Sequence, residues 1–155
     1  MFSIIIPLYN KAQYVCRTIE SVLAQTYTDY ECIIMDDGST DGSRATVEGW
    51  LAENNPRCGG RFRLLRQPNQ GVAVARNNAV RAASGEYVCF LDADDWWEPT
   101  FLEEMALHIR NYPDAGLYAT NYIYYKTGKT HVALDIPTAY IDYPQVYLTS
   151  GAMPV

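Results

Sequence analysis

Positive charge is scarce in this 155-residue sequence. Twelve Lys and Arg stand against 18 Asp and Glu, a net charge of −6. That balance argues against nucleic-acid binding through a broad basic surface. Any polyphosphate must instead be held locally, by a metal, by backbone N–H groups or by a few placed Arg. Cysteine is sparse as well, with four residues at 16, 32, 58 and 89. Their spacings match no zinc motif and three lie inside apolar runs, so free buried thiols in a reducing compartment are expected rather than disulfides. No apolar run approaches the roughly 18 residues that a membrane span needs. The opening Met1-Phe2-Ser3-Ile4-Ile5-Ile6 is interrupted by Pro7 and Asn10 and lacks the basic flank of a signal peptide. The expected location is the cytoplasm, with peripheral attachment at the inner face of a membrane left open. Internal repeats and low-complexity linkers are absent too.

What is present is ordinary globular composition, 48% apolar and 19% charged, enough for one domain with a real core. Apolar runs alternate with helical patterns. Strands are expected at residues 3–8, 30–35, 62–65 and 87–91. Helices are expected around Val15, Ile19, Val22 and Leu23, around Val47, Trp50 and Leu51, and around Val72, Ala75, Ala79 and Ala82. Asn54-Asn55-Pro56 reads as the break after the second helix, and Pro99 as the opening of a fourth bearing Leu102, Met105 and Ile109. Nearly all-apolar strands alternating with helices imply an α/β fold, a mostly parallel sheet covered on both faces. The last third differs. Tyr118, Tyr122, Tyr124 and Tyr125 lie in a strand-like run, and Thr127-Gly128 could turn it into a hairpin with residues 131–134. Beyond it come Pro137, Pro144 and Pro154, with no closed element.

Ligands of such sheets bind beyond the carboxyl ends of the strands. Asn10, the pair Asp36 and Asp37, and the cluster Asp92, Asp94 and Asp95 all fall at such ends. Like charges this close cost energy unless a cation neutralises them. Mg2+ or Mn2+ does so and keeps open positions for phosphate oxygens. An isolated Asp-X-Asp is more often a solvated turn capping the next helix. Asp36-Asp37-Gly38-Ser39 also has a plain use, since Ser39, Thr40 or Asp41 can cap a helix and Gly38 can supply a positive φ. Capping does not explain two consecutive carboxylates. Gly71 permits a tight entry into the third helix, and Arg76 lies on its first turns, where an anion would sit. Arg76 taken alone is equally a surface residue. Tyr9 could stack on a base, or simply be an aromatic at a strand end.

Ser3-Ile4-Ile5-Ile6-Pro7-Leu8-Tyr9-Asn10, Asp36-Asp37-Gly38-Ser39-Thr40-Asp41, Asn69-Gln70-Gly71 with Ala75-Arg76-Asn77, and Gly85-Glu86-Tyr87-Val88 leading into Phe90-Leu91-Asp92-Ala93-Asp94-Asp95 occur in that order. Together they resemble the family 2 glycosyltransferases of GT-A fold, over roughly residues 1 to 110. The resemblance implies a metal-dependent transfer, with inversion, from a nucleotide-diphosphate donor, UDP-sugar first, to an acceptor hydroxyl of a glycan or lipid-linked acceptor, as in polysaccharide assembly. It implies that Pro7 and Tyr9 flank the base and that Asp37 binds uracil with Asp36 close by. Asn10, Gly71 and Ala93 join them in the donor site. Asp94 ligates the Mn2+ or Mg2+, Asp92 contacts the metal through water or the ribose, and Arg76 steadies the donor or the acidic loop.

The family's general base is a carboxylate further along, typically in a Glu-Asp pair. Asp114, Asp135 and Asp142 are isolated and lack that context. The expectation is one incomplete GT-A domain over 1–155, with a donor-binding core at 1–110 and the start of an acceptor-side region at 111–155. On that expectation the base lies past Val155. Three alternatives stay open. A phospho-accepting receiver-like module would carry its acidic pair after the first strand. A sugar-phosphate nucleotidyltransferase would want a Gly-rich, basic loop after that strand, where this sequence has Pro7-Leu8-Tyr9-Asn10-Lys11. A binding-only protein of the same fold would need no base at all.

Overall fold

The computed structural model describes residues 1–120, 122–124 and 129–131. Ten elements follow in chain order: β1 (Phe2–Leu8), α1 (Val15–Leu23), β2 (Tyr30–Asp36), α2 (Ser43–Cys58), β3 (Phe62–Arg66), α3 (Val72–Arg81), β4 (Tyr87–Phe90), α4 (Phe101–Asn111), β5 (Tyr122–Tyr124) and β6 (Lys129–His131). Two compact units divide between Glu103 and Glu104, a few residues before the boundary expected near 110. In the second unit, β5 and β6 pair antiparallel with Tyr124 opposite Lys129. The two arms of the expected hairpin thus pair where they are described, and the rest of the expected run lies outside the described residues. Pro137 and the prolines after it lie outside the described residues.

The first unit is built on a four-stranded parallel sheet of order β3-β2-β1-β4. β1 is buried along its whole length, as an all-apolar central strand must be. Side chains alternate across the pleat, so Ile5 and Ile33 face one side and Ile4 and Cys32 the other. Ile5, Ile33 and Met35 pack against Ala75 and Ala79 of α3. The small alanines let α3 lie close to the sheet. On the opposite side, Trp50 of α2 meets Phe62, with ring centroids 5.5 Å apart. Trp50 also donates to Glu20 of α1 at 2.7 Å, and Tyr30 donates to the Val22 carbonyl at 2.8 Å. α1 and α2 thus cover one face and α3 the other.

That division follows from topology. The chain steps from β1 through β2 to β3 in one direction, then returns past β1 to β4. Right-handed crossovers put helices of opposite travel on opposite faces. The reversal makes a switch point between β1 and β4, where open α/β sheets form their crevice.

Three local expectations are corrected. α2 does not stop at Asn54-Asn55-Pro56 but runs through Pro56 to Cys58. Asn54 donates its side-chain amide to the Trp50 carbonyl at 3.0 Å, and the helix ends where Gly59 turns left-handed at φ 57°. α4 starts at Phe101, two residues after Pro99. Finally, β4 is not buried on both faces. Val88 is 37% and Phe90 52% exposed. Both lie on the α3 side of the sheet, but α3 packs over β1 and β2, and β4 is one of the two edge strands of the four-stranded sheet.

Candidate functional site

The carboxyl ends of the strands surround a cavity of about 590 Å³. Pro7, Leu8, Tyr9 and Lys11 reach it from β1 and its following loop, and Asp37 from the end of β2. Asn69, Gly71, Val72, Ala75 and Arg76 come from the entry and first turns of α3, and Asp92, Ala93 and Asp94 from the end of β4. Seven of the nine residues expected at a donor site therefore line one cavity, as do both expected metal ligands. Asn10 and Asp36 do not.

Asp36 and Asn10 instead hold the framework. The Asp36 side chain is fully buried, and its Oδ1 accepts from the Ser39 N–H at 2.9 Å. Among the described residues its Oδ2 has no hydrogen-bond donor. Arg66 Nε stands 3.7 Å away, close enough for attraction and too far for a hydrogen bond. Asn10 is left-handed at φ 52°, a conformation Asn tolerates better than most residues. Its Oδ1 accepts from the Thr40 N–H at 2.8 Å, and its own N–H donates to Ser39 Oγ at 3.1 Å. The loops after β1 and β2 are tied together in this way.

Asp37 is buried and carries three internal donors. Its Oδ1 accepts from Gln67 Nε2 at 2.7 Å and the Gln70 N–H at 2.9 Å, and its Oδ2 from the Gly71 N–H at 2.9 Å. One lone pair of Oδ2 remains for a ligand. Gln67, in turn, is held by Asn78 of α3 at 2.7 Å. Gly38 completes the approach of the two loops. A Cβ there would stand 2.9 Å from the Asn69 nitrogen, and its φ is +73°, so only glycine fits. α3 begins at Gly71 with no side chain capping it, which leaves first-turn N–H groups available for an anion at the cavity.

The acidic loop is held from α1. Thr18 Oγ1, 1% exposed, lies 2.9 Å from the Ala93 carbonyl and 2.8 Å from that of Asp95. Ser21 accepts from the Trp97 N–H at 3.2 Å. Gln25 donates to the Glu98 carbonyl at 2.7 Å and accepts from the Leu102 N–H at 2.9 Å. Asp92 and Asp94 each have one cation. Arg76 Nη2 meets Asp92 Oδ1 at 2.5 Å, and Lys11 Nζ meets Asp94 Oδ2 at 2.5 Å. The hydrogen bond to Asp94 holds the Lys11 ammonium above its ordinary range against partial burial. The Asp95 carboxyl is pushed up, first by desolvation and then by Asp94 and Asp92.

Among the described residues no group of three or more His, Cys, Asp or Glu could hold a metal ion. Mg2+ and Mn2+ sites that bind phosphates use one or two carboxylates and take their other oxygens from substrate and water. Asp92 and Asp94, both half-exposed on the cavity, fit that pattern. The four cysteines are free thiols, with Cys32 and Cys58 buried as expected and Cys16 and Cys89 only half-buried. Among the described residues no helix is long and apolar enough to cross a membrane.

Lys11, Gln67 and Thr18 are site residues that sequence reasoning passed over. Lys11 had a signal, as the lone cation beside Tyr9-Asn10. The other two announce themselves only as polar residues in buried positions, which requires the fold.

The profile of Glycosyl transferase family 2 matches residues 3–147. The chain is 40% identical over 129 residues to the uncharacterized glycosyltransferase YibD of Escherichia coli (strain K12), covering 83% of this chain and 36% of YibD. Two solved structures resemble it at TM-score 0.64 and 29% identity. One is S. aureus TarS 1–349 in complex with UDP-GlcNAc, covering 72% of this chain and 32% of that one. The other is the mannosyltransferase PcManGT from Pyrobaculum calidifontis in complex with GDP-Man and Mn2+, covering 75% and 33%. The chain thus spans about a third of the length of each of these proteins. The fold is GT-A, and the receiver-like and nucleotidyltransferase alternatives are set aside.

Proposed function

The chain belongs to glycosyl transferase family 2, and we propose that its cavity holds the nucleotide diphosphate of a sugar donor, with UDP-sugar the first choice, together with Mn2+ or Mg2+ at Asp94 and Asp92. The observation that supports this is the convergence of four separated segments on one cavity of about 590 Å³. That volume lies within the range of small-ligand sites, roughly 300–1,000 Å³.

The residues divide the work by chemistry. Tyr9, 46% exposed at the end of β1, offers its ring as a platform for the base, with Pro7 beside it. Asp37 offers its remaining lone pair to a base N–H, and its three internal donors keep the carboxylate oriented before the donor arrives. Arg76 and the open N-terminus of α3 face the diphosphate. The bound cation offsets the negative charge that grows on the departing diphosphate. The neighbours bind a uridine and a guanosine nucleotide. The preference for uracil therefore rests on Asp37 alone.

In the transfer, an acceptor hydroxyl oxygen bonds to the anomeric carbon from the face opposite the diphosphate. The bond from that carbon to the diphosphate oxygen breaks with its electron pair, and the hydroxyl proton passes to a base. We do not assign that base to Asp37, Asp92 or Asp94, since each already accepts from an internal donor. The acceptor is proposed to be a glycan or lipid-linked acceptor of the whole protein.

Calorimetry tests the donor site. UDP is expected to bind in the presence of MnCl2 and to lose affinity in EDTA, and Asp94→Ala is expected to remove the metal-dependent part. Equal UDP binding with and without EDTA would refute the role given to Asp94.

A further inference from the structure

Lys11 and Asp94 are 83 residues apart in sequence, yet Nζ lies 2.5 Å from Oδ2. The contact is built from the backbone outward. The Lys11 N–H donates to Ser43 Oγ at 2.8 Å, and the next N–H, of Ala12, donates to Asp41 Oδ2 at 3.1 Å. Together with Asn10 and Ser39, these bonds fix the lysine's Cα over the start of α2 and aim its side chain across the cavity. The ammonium is 38% and the carboxylate 41% exposed. A pair this exposed is a weak one, open to exchange. Lys11 also lines the cavity where Arg76 and the start of α3 converge. It is thus a partly exposed cation on a fixed stem, holding one of the two carboxylates assigned to the divalent ion.

We propose that Lys11 is a positioning residue for the donor diphosphate, resting on Asp94 as its counter-ion until that carboxylate receives a divalent cation. The proposal rests on the donor-site reading above. Without donor, Lys11 spares Asp92, Asp94 and Asp95 part of their mutual repulsion. With cation and donor present, Asp94 exchanges partners, and the ammonium, four methylenes from a pinned backbone, turns to the nearest remaining anion, the diphosphate. Exchange of this kind makes cation and nucleotide binding interdependent. The cation alone must displace Lys11, and the diphosphate gives Lys11 somewhere to go.

Lys11→Met tests this, because it keeps the length of the side chain and removes its charge. Mn2+ binding without nucleotide, read by electron paramagnetic resonance of the free ion, is expected to tighten by roughly two- to five-fold, the worth of an exposed ion pair. UDP binding at saturating Mn2+, read by calorimetry, is expected to weaken by about tenfold or more, as for a lost charged hydrogen bond. Lys11→Arg should return both values toward the parent. A misfolded variant would weaken both, so opposite signs are the signature. In a Lys11→Met variant that melts at the parent's temperature, Mn2+ binding unchanged or weaker, or UDP binding unchanged, overturns the role of Lys11 while the donor site stands. A parent chain with no Mn2+-dependent UDP binding overturns both readings.

Discussion

Arg76 Nη2 lies 2.5 Å from Asp92 Oδ1, joining α3 to the loop after β4. The same guanidinium carbon stands 5.7 Å from the centre of the exposed Phe90 ring, and its Nε is buried without a hydrogen-bond partner. Arg76 is therefore held by one strong contact to an acidic loop that needs positive charge. Arg76→Ala leaves Asp92, Asp94 and Asp95 with Lys11 alone. The pair is 35% and 48% exposed, so solvent screening limits its worth to about 1 kcal/mol. A melting-temperature drop of about 2–4 °C is expected for a chain of this size. MnCl2 should recover part of that drop, because the cation supplies the missing charge. Thermal melts with and without MnCl2 check this, and a loss that Mn2+ leaves untouched would count against it.

Asp37 makes a different demand, because its three donors are inside the protein. Asp37→Ala strands two backbone N–H groups and the Gln67 amide. The expected loss is about 3 kcal/mol or more, from buried donors left unmade. Asp37→Asn sets an NH2 against one of those donors and is expected to fall between Ala and the parent. Hydrogen exchange at the Gln70 and Gly71 amides should accelerate in both variants, and UDP binding should be lost with it. Unaltered exchange in Asp37→Ala would show that the loop holds itself.

Residues 1–103 were legible wherever one periodicity governs. The apolar run of β1 reads as a buried strand, and Phe2, Ile4, Ile5, Ile6 and Leu8 are 0% to 3% exposed. Val15, Ile19 and Val22 mark the buried face of α1 at helical spacing. The strand order was not legible, because apolar runs name no neighbours. The exposed edge of β4 was missed for that reason. Pro56 misled for a local reason. Its ring is tolerated near the end of α2, which stops only where Gly59 turns left-handed. Within the site, the motif carboxylates were legible as charges that helix capping alone does not account for, but their partners were not. Lys11 meets Asp94 across 83 residues and Thr18 meets Ala93 across 75. Only the switch point between β1 and β4 brings those segments together. Asp36 and Asn10 sit in the same motifs as cavity residues yet serve the framework, a distinction of side-chain direction that spacing does not carry.

Glu31 stands at the amino ends of the strands, away from the cavity, and separates stability from binding. Its Oε1 accepts from Ser3 Oγ at 2.7 Å, the Ser84 N–H at 2.6 Å and Ser84 Oγ at 2.7 Å, and its Oε2 from Arg63 Nη2 at 2.8 Å. One carboxylate therefore ties β1, β2, β3 and the entry to β4. Burial alone would raise its pKa, but the hydrogen bonds from Ser3, Ser84 and Arg63 outweigh burial and lower it from 4.5 to about 2. The folded value is the depressed one. The stabilisation is therefore fully present above about pH 4.5 and is lost as pH falls toward 2. Its size is about 3 kcal/mol, from the shift of a carboxylate only 14% exposed. Glu31→Gln should lower stability at pH 7 by a comparable amount and flatten the fall between pH 4.5 and 2, as read by urea unfolding across that range. Mn2+-dependent UDP affinity of the folded variant should be unchanged. A Glu31→Gln variant with the parent's acid sensitivity would mean that other carboxylates, not this staple, govern the loss.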